Sequence, residues 1–290
     1  MKKKYLVCCF SLDFDLPLLK HFIDHYIKLG IKPENFLFVL NVFEDMGNLD
    51  KGLKILSDYN IVPKDIWCYE YESQEKWQRV HMLLSKFVSQ HDWIIHPDSD
   101  EFFEFPASLD NIINAMDAQG FNAAQGFLID RLAKDGKIKD ISSDVCLFEQ
   151  FPARANLTNL IGLSGVKLMI YKGYLRANNG SGQIHQQCLS SVRYTHGSNI
   201  SLHKTDLGIK INGSFDSNTL IPYEPEKFND KIYKLIIEQH GFIVHHFKWH
   251  GSVLDKLKQR VITYKKLNRP QLVQSARLLK HYQDNQRFVF

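Results

Sequence analysis

Hydrophobic residues in the first hundred positions form short continuous runs separated by longer segments with helical spacing. The continuous runs lie at 5–10, 36–42, 66–71 and 93–97, and they predict strands that are buried on both faces. Between them, apolar residues recur every three or four positions from Asp15 to Gly30, at 49–59 and at 73–90, which predicts helices. Strands and helices that alternate in this order indicate a parallel sheet with right-handed crossovers.

The pattern continues and then loosens in the second half of the chain. A helix at 108–119 and a strand at 123–129 are followed by short apolar runs and loops rich in Gly, Asn and Ser. The last predicted elements are a strand at 242–247 and two helices. Ser252 caps the first of these helices, and the second begins at Pro270. We therefore predict an α/β fold with an open, mostly parallel twisted sheet flanked by helices, a mixed second half and C-terminal helices. The predicted division is one domain at 1–250, with halves at 1–106 and 107–250, and a helical extension at 251–290.

Composition excludes some classes of protein. With 44% hydrophobic residues among 290, the chain can fill a core and is not a disordered protein. A net charge of +4 suits anionic substrates but is too small to indicate nucleic-acid binding. Five cysteines without a Cys-x-x-Cys pair are typical of reduced thiols, which predicts a cytoplasmic protein. The basic residues of the last helices fit either a solvated helix face or peripheral contact with an anionic membrane.

Three carboxylates follow the fourth predicted strand, at Asp98, Asp100 and Glu101. In extended backbone, side chains two positions apart point the same way, so the two aspartates can share a hard divalent ion that keeps positions open for phosphate oxygens. By chance, 21 Asp in 290 residues give about 1.5 Asp-x-Asp pairs, and a second pair stands at Asp13 and Asp15. We favour the later pair because it follows an apolar strand in an alternating segment, where open α/β sheets bind ligands.

The two common glycine-rich phosphate-binding motifs, G-x-G-x-x-G and G-x-x-x-x-G-K-[ST], are absent from the sequence. This absence argues against a dinucleotide dehydrogenase and against a P-loop nucleotidase. If the protein binds phosphates, a metal ion and cationic side chains must hold them instead.

The segment Asp-Ser-Asp-Glu-Phe at 98–102 resembles the Asp-x-Asp-Glu-Phe region of bacterial glycosyltransferases of the family 2-like group, which have the GT-A fold. Further similar blocks lie at 10–30, 126–131, 148–152, 166–167 and 245–249. The resemblance implies transfer of a sugar from a nucleotide diphosphate sugar, a UDP-sugar above all, to a glycan or glycolipid acceptor in surface polysaccharide or glycolipid synthesis. One departure is that the family often has an Asn-Glu pair after the first strand, where this chain has Ser-Leu-Asp-Phe-Asp.

The resemblance also implies a metal site for Mn²⁺ or Mg²⁺. Asp100 is expected to be a direct ligand, and Asp98 is expected to reach the ion or the donor ribose. His246 is the predicted third ligand, since imidazole suits a manganese-type ion. His245 should point to the opposite strand face, and His250 follows one loop later, so the choice among the three histidines stays open.

Cationic side chains should bind the nucleotide sugar, with ordinary surface ion pairs as the alternative. Lys76 and Arg79 lie on the helix before the metal strand. Lys167 and Lys248 are candidates for the diphosphate, and His185 lies in a glycine-rich turn where it could contact donor or acceptor.

An inverting transfer also needs a general base for the acceptor hydroxyl. Asp130, at the end of a predicted strand, is the first candidate and Glu149 the second. Asp130 could instead pair with Arg131, and Glu149 could instead support the acceptor loop.

Two other classes of protein stay open from the sequence. One is another metal-dependent enzyme of nucleotide sugars or phosphates, such as a nucleotidyltransferase or a phosphohydrolase. The other is a non-catalytic carbohydrate-binding module. The sequence does not determine the sugar, the acceptor, inversion or retention, or the oligomeric state.

Overall fold

The computed structural model describes residues 2–155, 166–175, 194–195, 242–266 and 271–288. The strands are β1 Lys4–Ser11, β2 Phe36–Asn41, β3 Asp65–Trp67, β4 Trp93–Ile95, β5 Glu101–Glu104, β6 Ala123–Leu132, β7 Ala153–Ala155, β8 Val166–Lys172, β9 Tyr194–Thr195 and β10 Ile243–His246. The helices are α1 Leu12–Lys28, α2 Gly47–Asp58, α3 Ser73–Phe87, α4 Leu109–Gln119, α5 Leu147–Gln150, α6 Val253–Lys266 and α7 Gln271–Asn285.

The strands of the described part form one mixed sheet in the order β3-β2-β1-β4-β8-β6-β10-β5, and β7 and β9 also pair with β6. The four strands from β3 to β4 are mutually parallel. Beyond them, β8 is antiparallel to both β4 and β6, and β10 runs parallel to β6 and antiparallel to β5. The α/β prediction, with a parallel first half and a mixed second half, is confirmed. The division at residues 106 and 250 stays a prediction.

Alternate residues of β1 face two separate layers of helices, which explains its continuous apolar run. Cys8 and Phe10 lie in the cluster that contains Phe22 of α1. Val7 and Cys9 lie in the other cluster, which contains Trp77 of α3. With helices packed on both faces, the middle of β1, from Leu6 to Phe10, is buried throughout and apolar.

The structure adds to or departs from the sequence prediction at several places. The segment at 101–104 forms an unpredicted strand, β5, because β10 supplies a partner from far along the chain. The predicted strand at 66–71 ends at Trp67, and the Asn41 amide then donates to the carbonyls of Trp67 and Tyr69 at 3.2 and 2.9 Å. Helix α6 begins at Val253, directly after Ser252 as predicted, and the Ser252 hydroxyl also makes an unpredicted tertiary contact by donating to the Phe14 carbonyl at 2.8 Å.

A small separate core anchors the C-terminal helices to the sheet. Trp249 packs against Phe288, with ring centroids 4.6 Å apart, and both lie in a cluster with Val253, Leu257 and Leu278. This packing fixes the segment between β10 and α6. In the described part of the chain, we find no helix that is both long and apolar enough to cross a membrane.

Candidate active site

The carboxylate loop lies between β4 and β5, at the edge of the sheet where the parallel strands end. Glu101 closes this loop into a turn: its backbone N–H donates to the Asp98 carbonyl at 3.0 Å, and its carboxylate accepts from the Asp98 N–H at 2.9 Å. The Glu101 side chain is only 2% exposed, and burial raises its pKa. Glu101 therefore stabilises the turn formed by residues 98–101.

Two lysines converge on Asp98. Lys76 of α3 donates to Oδ1 and Lys167 of β8 donates to Oδ2, each at 2.5 Å. Lys167 also lies 2.7 Å from Glu101 Oε1. Burial opposes ionisation of Asp98, but the two ammonium groups outweigh it and hold the pKa of the carboxyl well below its usual range. The structure thus brings three predicted site residues, from three elements, into one ionic cluster.

A second cluster contains Asp100, His246, Asp130 and Trp249. His246 Nε2 lies 3.5 Å from Asp100 Oδ2, and His246 Nδ1 lies 2.7 Å from Asp130 Oδ1. The Trp249 indole N–H also donates to Asp130 Oδ1, at 2.8 Å. The register of the sheet produces this arrangement, because His246 pairs with Asp130 of the parallel β6.

Charges within this second cluster shift the pKa values of its members strongly. Burial lowers the pKa of His246, but Asp100 and then Asp130 outweigh it and raise the pKa to about 9. Burial likewise opposes ionisation of Asp100, and the His246 imidazolium holds its pKa below the usual range. Without metal, the imidazole is therefore protonated at neutral pH and lies between two carboxylates.

The raised pKa of His246 predicts that the metal-free protein loses stability as pH rises. A histidine with a folded pKa of about 9 and an unfolded value of about 6.5 stabilises the fold fully below pH 6.5 and loses that contribution as pH approaches 9. Between pH 6.5 and 8, the free energy of unfolding should fall by about 2 kcal/mol in urea titrations with a chelator present. His246→Asn should lack this fall, and an equal fall in that variant would contradict the assignment.

Further cations surround Asp100. Burial lowers the pKa of Lys248 to about 8, and the positive charge of Arg260 acts in the same direction. Lys256 of α6 contributes to the lowered pKa of Asp100. Lys248, predicted to bind diphosphate, therefore lies beside the Asp100 cluster rather than in the Asp98 cluster.

The remaining predicted residues lie elsewhere. Arg79 pairs with Asp65 and Glu75 at 2.8 and 2.7 Å, which matches the salt-bridge alternative. Glu149 is exposed on α5. His185 lies outside the described residues.

Asp130 is 0% exposed, and its Oδ1 accepts from the side chains of two residues, so the structure argues against its direct contact with an acceptor hydroxyl. His245 faces away from His246 and contacts Glu104 at 2.6 Å, as the alternation of strand side chains predicts.

Sequence reasoning missed Asp15 and Lys256. Asp15 is 1% exposed; its Oδ2 accepts from the Ser99 hydroxyl at 2.6 Å, and both of its oxygens accept from Lys256. The sequence did contain one indication of Asp15, namely its position just after β1. Strands β1 and β4 are parallel neighbours, so the segments that follow them meet at the same edge of the sheet. No local signal marks Lys256, which is 241 positions away.

The donor set around Asp100 fits a divalent cation. Two atoms that each lie about 2.1 Å from one ion are at most about 4.2 Å apart, and Asp100 Oδ2 and His246 Nε2 satisfy this limit at 3.5 Å. A carboxylate on the other ring nitrogen, here Asp130, is the usual way in which proteins orient a ligating histidine. The described residues contain no group of three or more His, Cys, Asp and Glu side chains arranged to hold an ion. Within the described part of the chain, the candidate ligands are therefore Asp100 and His246, and an ion that also binds substrate phosphates can have as few protein ligands as this.

No family model and no curated protein matches this sequence. Several solved structures do match. One is S. aureus TarS, with 10% identity over 97% of this chain and 43% of that chain and a TM-score of 0.35. Another is S. aureus TarS 1–349 in complex with UDP-GlcNAc, with 12% identity over 97% and 73% of the two chains and a TM-score of 0.36. A third is 4-diphosphocytidyl-2C-methyl-D-erythritol synthase, with 14% identity over 60% and 76% and a TM-score of 0.28. This chain spans less than half of the first of these TarS chains, and all three likenesses are distant.

Proposed function

We propose that this protein is a divalent-metal-dependent glycosyltransferase that moves a sugar from a nucleotide diphosphate sugar, a UDP-sugar first of all, to an acceptor hydroxyl. The observation that carries the proposal is the pair of Asp100 and His246 at the carboxyl edge of the parallel strands. Their facing atoms are 3.5 Å apart, and Asp130 orients the imidazole. Open α/β sheets bind nucleotides at this edge.

Charge is the main requirement of such a reaction, because the nucleoside diphosphate leaves as an anion. Mn²⁺ or Mg²⁺, when bound, supplies positive charge at the diphosphate oxygens. Among this chain's own groups, Asp100 and His246 would hold the ion, while Lys248 and Arg260 add positive charge beside it. Asp100 and His246 are already held by their contacts with each other and with Asp130, so little reorganisation of these two is needed as the leaving-group charge develops.

The cluster around Asp98 has a different role in this proposal. Its two lysines compensate the carboxylates of Asp98 and Glu101 and hold Asp98 in place at the edge of the nucleotide site. Asp98 itself would accept a hydrogen bond from the donor ribose, which was the second of its two expected roles.

We propose Glu149 rather than Asp130 as the general base, because Glu149 is exposed to solvent and Asp130 is fully buried. Glu149 would remove the proton from the acceptor hydroxyl as the new glycosidic bond forms.

The acceptor is proposed to be a glycan or glycolipid, and the C-terminal helix gives one reason for a membrane-linked acceptor. Lys258, Lys265 and Lys266 of α6 are exposed, and Ile262 between them is 69% exposed. A helix face of this kind suits peripheral contact with an anionic surface. We do not extend the proposal to a particular sugar.

The proposed function can be tested by calorimetry with a panel of nucleotide sugars, with and without Mn²⁺ or Mg²⁺. We expect at least one UDP-sugar to bind only when metal is present and to be hydrolysed slowly without an acceptor. Release of pyrophosphate from UTP and a sugar 1-phosphate, with no release of UDP from any UDP-sugar, would instead show a nucleotidyltransferase. Absence of binding across the whole panel would overturn the proposed function.

A further inference from the structure

A buried carboxylate outside the predicted site connects α6 to the metal-binding loop. Asp15, in the first turn of α1, accepts from the Ser99 hydroxyl through Oδ2 at 2.6 Å. Lys256 of α6 donates to its Oδ1 and Oδ2 at 2.9 and 3.0 Å. Because Ser99 stands between Asp98 and Asp100, its hydroxyl bond fixes the middle of that loop.

One face of α6 carries a row of such contacts across the edge of the sheet. The row starts at Ser252, just before α6, and continues at the positions four, seven and eleven residues later, which lie on one side of the helix. The residues that these side chains contact come shortly after β1, β2 and β3 in the chain. The contacts are Ser252 to the Phe14 carbonyl at 2.8 Å, Lys256 to Asp15 at 2.9 Å, Gln259 to Glu44 at 3.0 Å and Thr263 to Glu70 at 2.9 Å. The row therefore ties α6 to the first turn of α1 and to the loops after β2 and β3, at the edge of the sheet that carries the proposed nucleotide site.

Among these contacts, the ion pair of Lys256 with Asp15 has the largest expected effect. The contacts of Gln259 and Thr263 are exposed, and exposed polar contacts contribute little. Asp15 is almost completely buried, and removal of Lys256 would leave its charge without an ion-pair partner in hydrogen-bond range, held only by the Ser99 hydroxyl. His250 Nε2, at 3.9 Å, is too distant to replace the ammonium group by a hydrogen bond.

We propose that Lys256 is a positioning residue that acts through Asp15 and Ser99 to hold the loop at 98–100 in the shape that binds metal. This inference rests on the proposed function, since it concerns the same metal site. A competing role for Lys256 is direct contact with the diphosphate, because its charge also reaches Asp100. The two roles differ in their dependence on Asp15.

The test is a double-mutant cycle with Lys256→Met, Asp15→Asn and the combined variant. The readout is the Mn²⁺ concentration that gives half-maximal binding of UDP in calorimetry. Lys256→Met should raise this concentration about tenfold, the lower end of the effect of residues that orient metal ligands. The combined variant should return to within roughly threefold of the wild type, because the asparagine that replaces Asp15 is neutral and still accepts from the Ser99 hydroxyl.

Gln259→Ala is the matched control, since it removes an exposed contact from the same helix face, and it should leave the Mn²⁺ dependence unchanged. Two results would overturn the positioning role. One is a combined variant in which the effects of the two single substitutions on Mn²⁺ affinity simply add. The other is a Lys256→Met variant with an unchanged Mn²⁺ dependence. A wild-type protein that binds no UDP with Mn²⁺ would overturn the proposed function and this inference with it. Additive losses in a protein that does bind UDP would overturn the inference alone.

Discussion

Replacing Asp100 with asparagine should abolish metal-dependent binding of a UDP-sugar. Asparagine has nearly the same shape but lacks the anionic oxygen that faces His246 Nε2. The affinity for Mn²⁺ in the presence of UDP should fall by more than about 100-fold, because a direct ligand should matter at least as much as a residue that only orients one. Calorimetry measures the affinity, and circular dichroism checks that the fold persists.

A suitable control for this variant is Asp110→Asn. Asp110 is an exposed residue of α4 that pairs with Lys4 at 2.7 Å, so its removal changes the net charge equally without touching the site. We expect its Mn²⁺ affinity to match the wild type. If Asp100→Asn also bound UDP and Mn²⁺ with wild-type affinity, the ion would have to lie elsewhere.

The second large effect is expected from Glu149→Gln. If Glu149 is the base, transfer to the acceptor should slow by about 10²–10⁴-fold while donor binding persists. Asp130→Asn should behave differently, because Asp130 holds His246 Nδ1 at 2.7 Å and is enclosed. We expect that variant to weaken Mn²⁺ binding by about 10–100-fold.

Steady-state kinetics and Mn²⁺ titrations on both variants separate these two roles. Undiminished transfer by Glu149→Gln would exclude it as the base. Normal Mn²⁺ affinity in Asp130→Asn, together with lost transfer, would return the role of base to Asp130.

The first half of the fold could be predicted from the sequence because its signals are local. Strand β1 is buried on both faces and therefore appears as a continuous apolar run, and the helices beside it have strong periodicity. Strand β5 could not be found in this way. It has four residues, and it exists because β10, about 140 positions later, pairs with it.

The sequence indicated several of the residues that the structure brings together in the candidate site, but not how they are arranged. In extended backbone, the side chains of Asp98 and Asp100 would point the same way and could share one ion. The loop is instead a turn closed by Glu101, so the two carboxylates enter different clusters. Asp15 and Lys256 were missed because the contact between them depends on tertiary packing rather than on any local pattern.

A crystal structure with UDP and Mn²⁺, in which the ion is located by its anomalous scattering, tests the central claim most directly. We expect one Mn²⁺ peak within about 2.5 Å of an Asp100 carboxylate oxygen and of His246 Nε2. Diphosphate oxygens should complete its coordination, and Asp130 should still contact His246 Nδ1. A structure with bound UDP in which the Mn²⁺ peak contacts neither Asp100 nor His246 would contradict the claim.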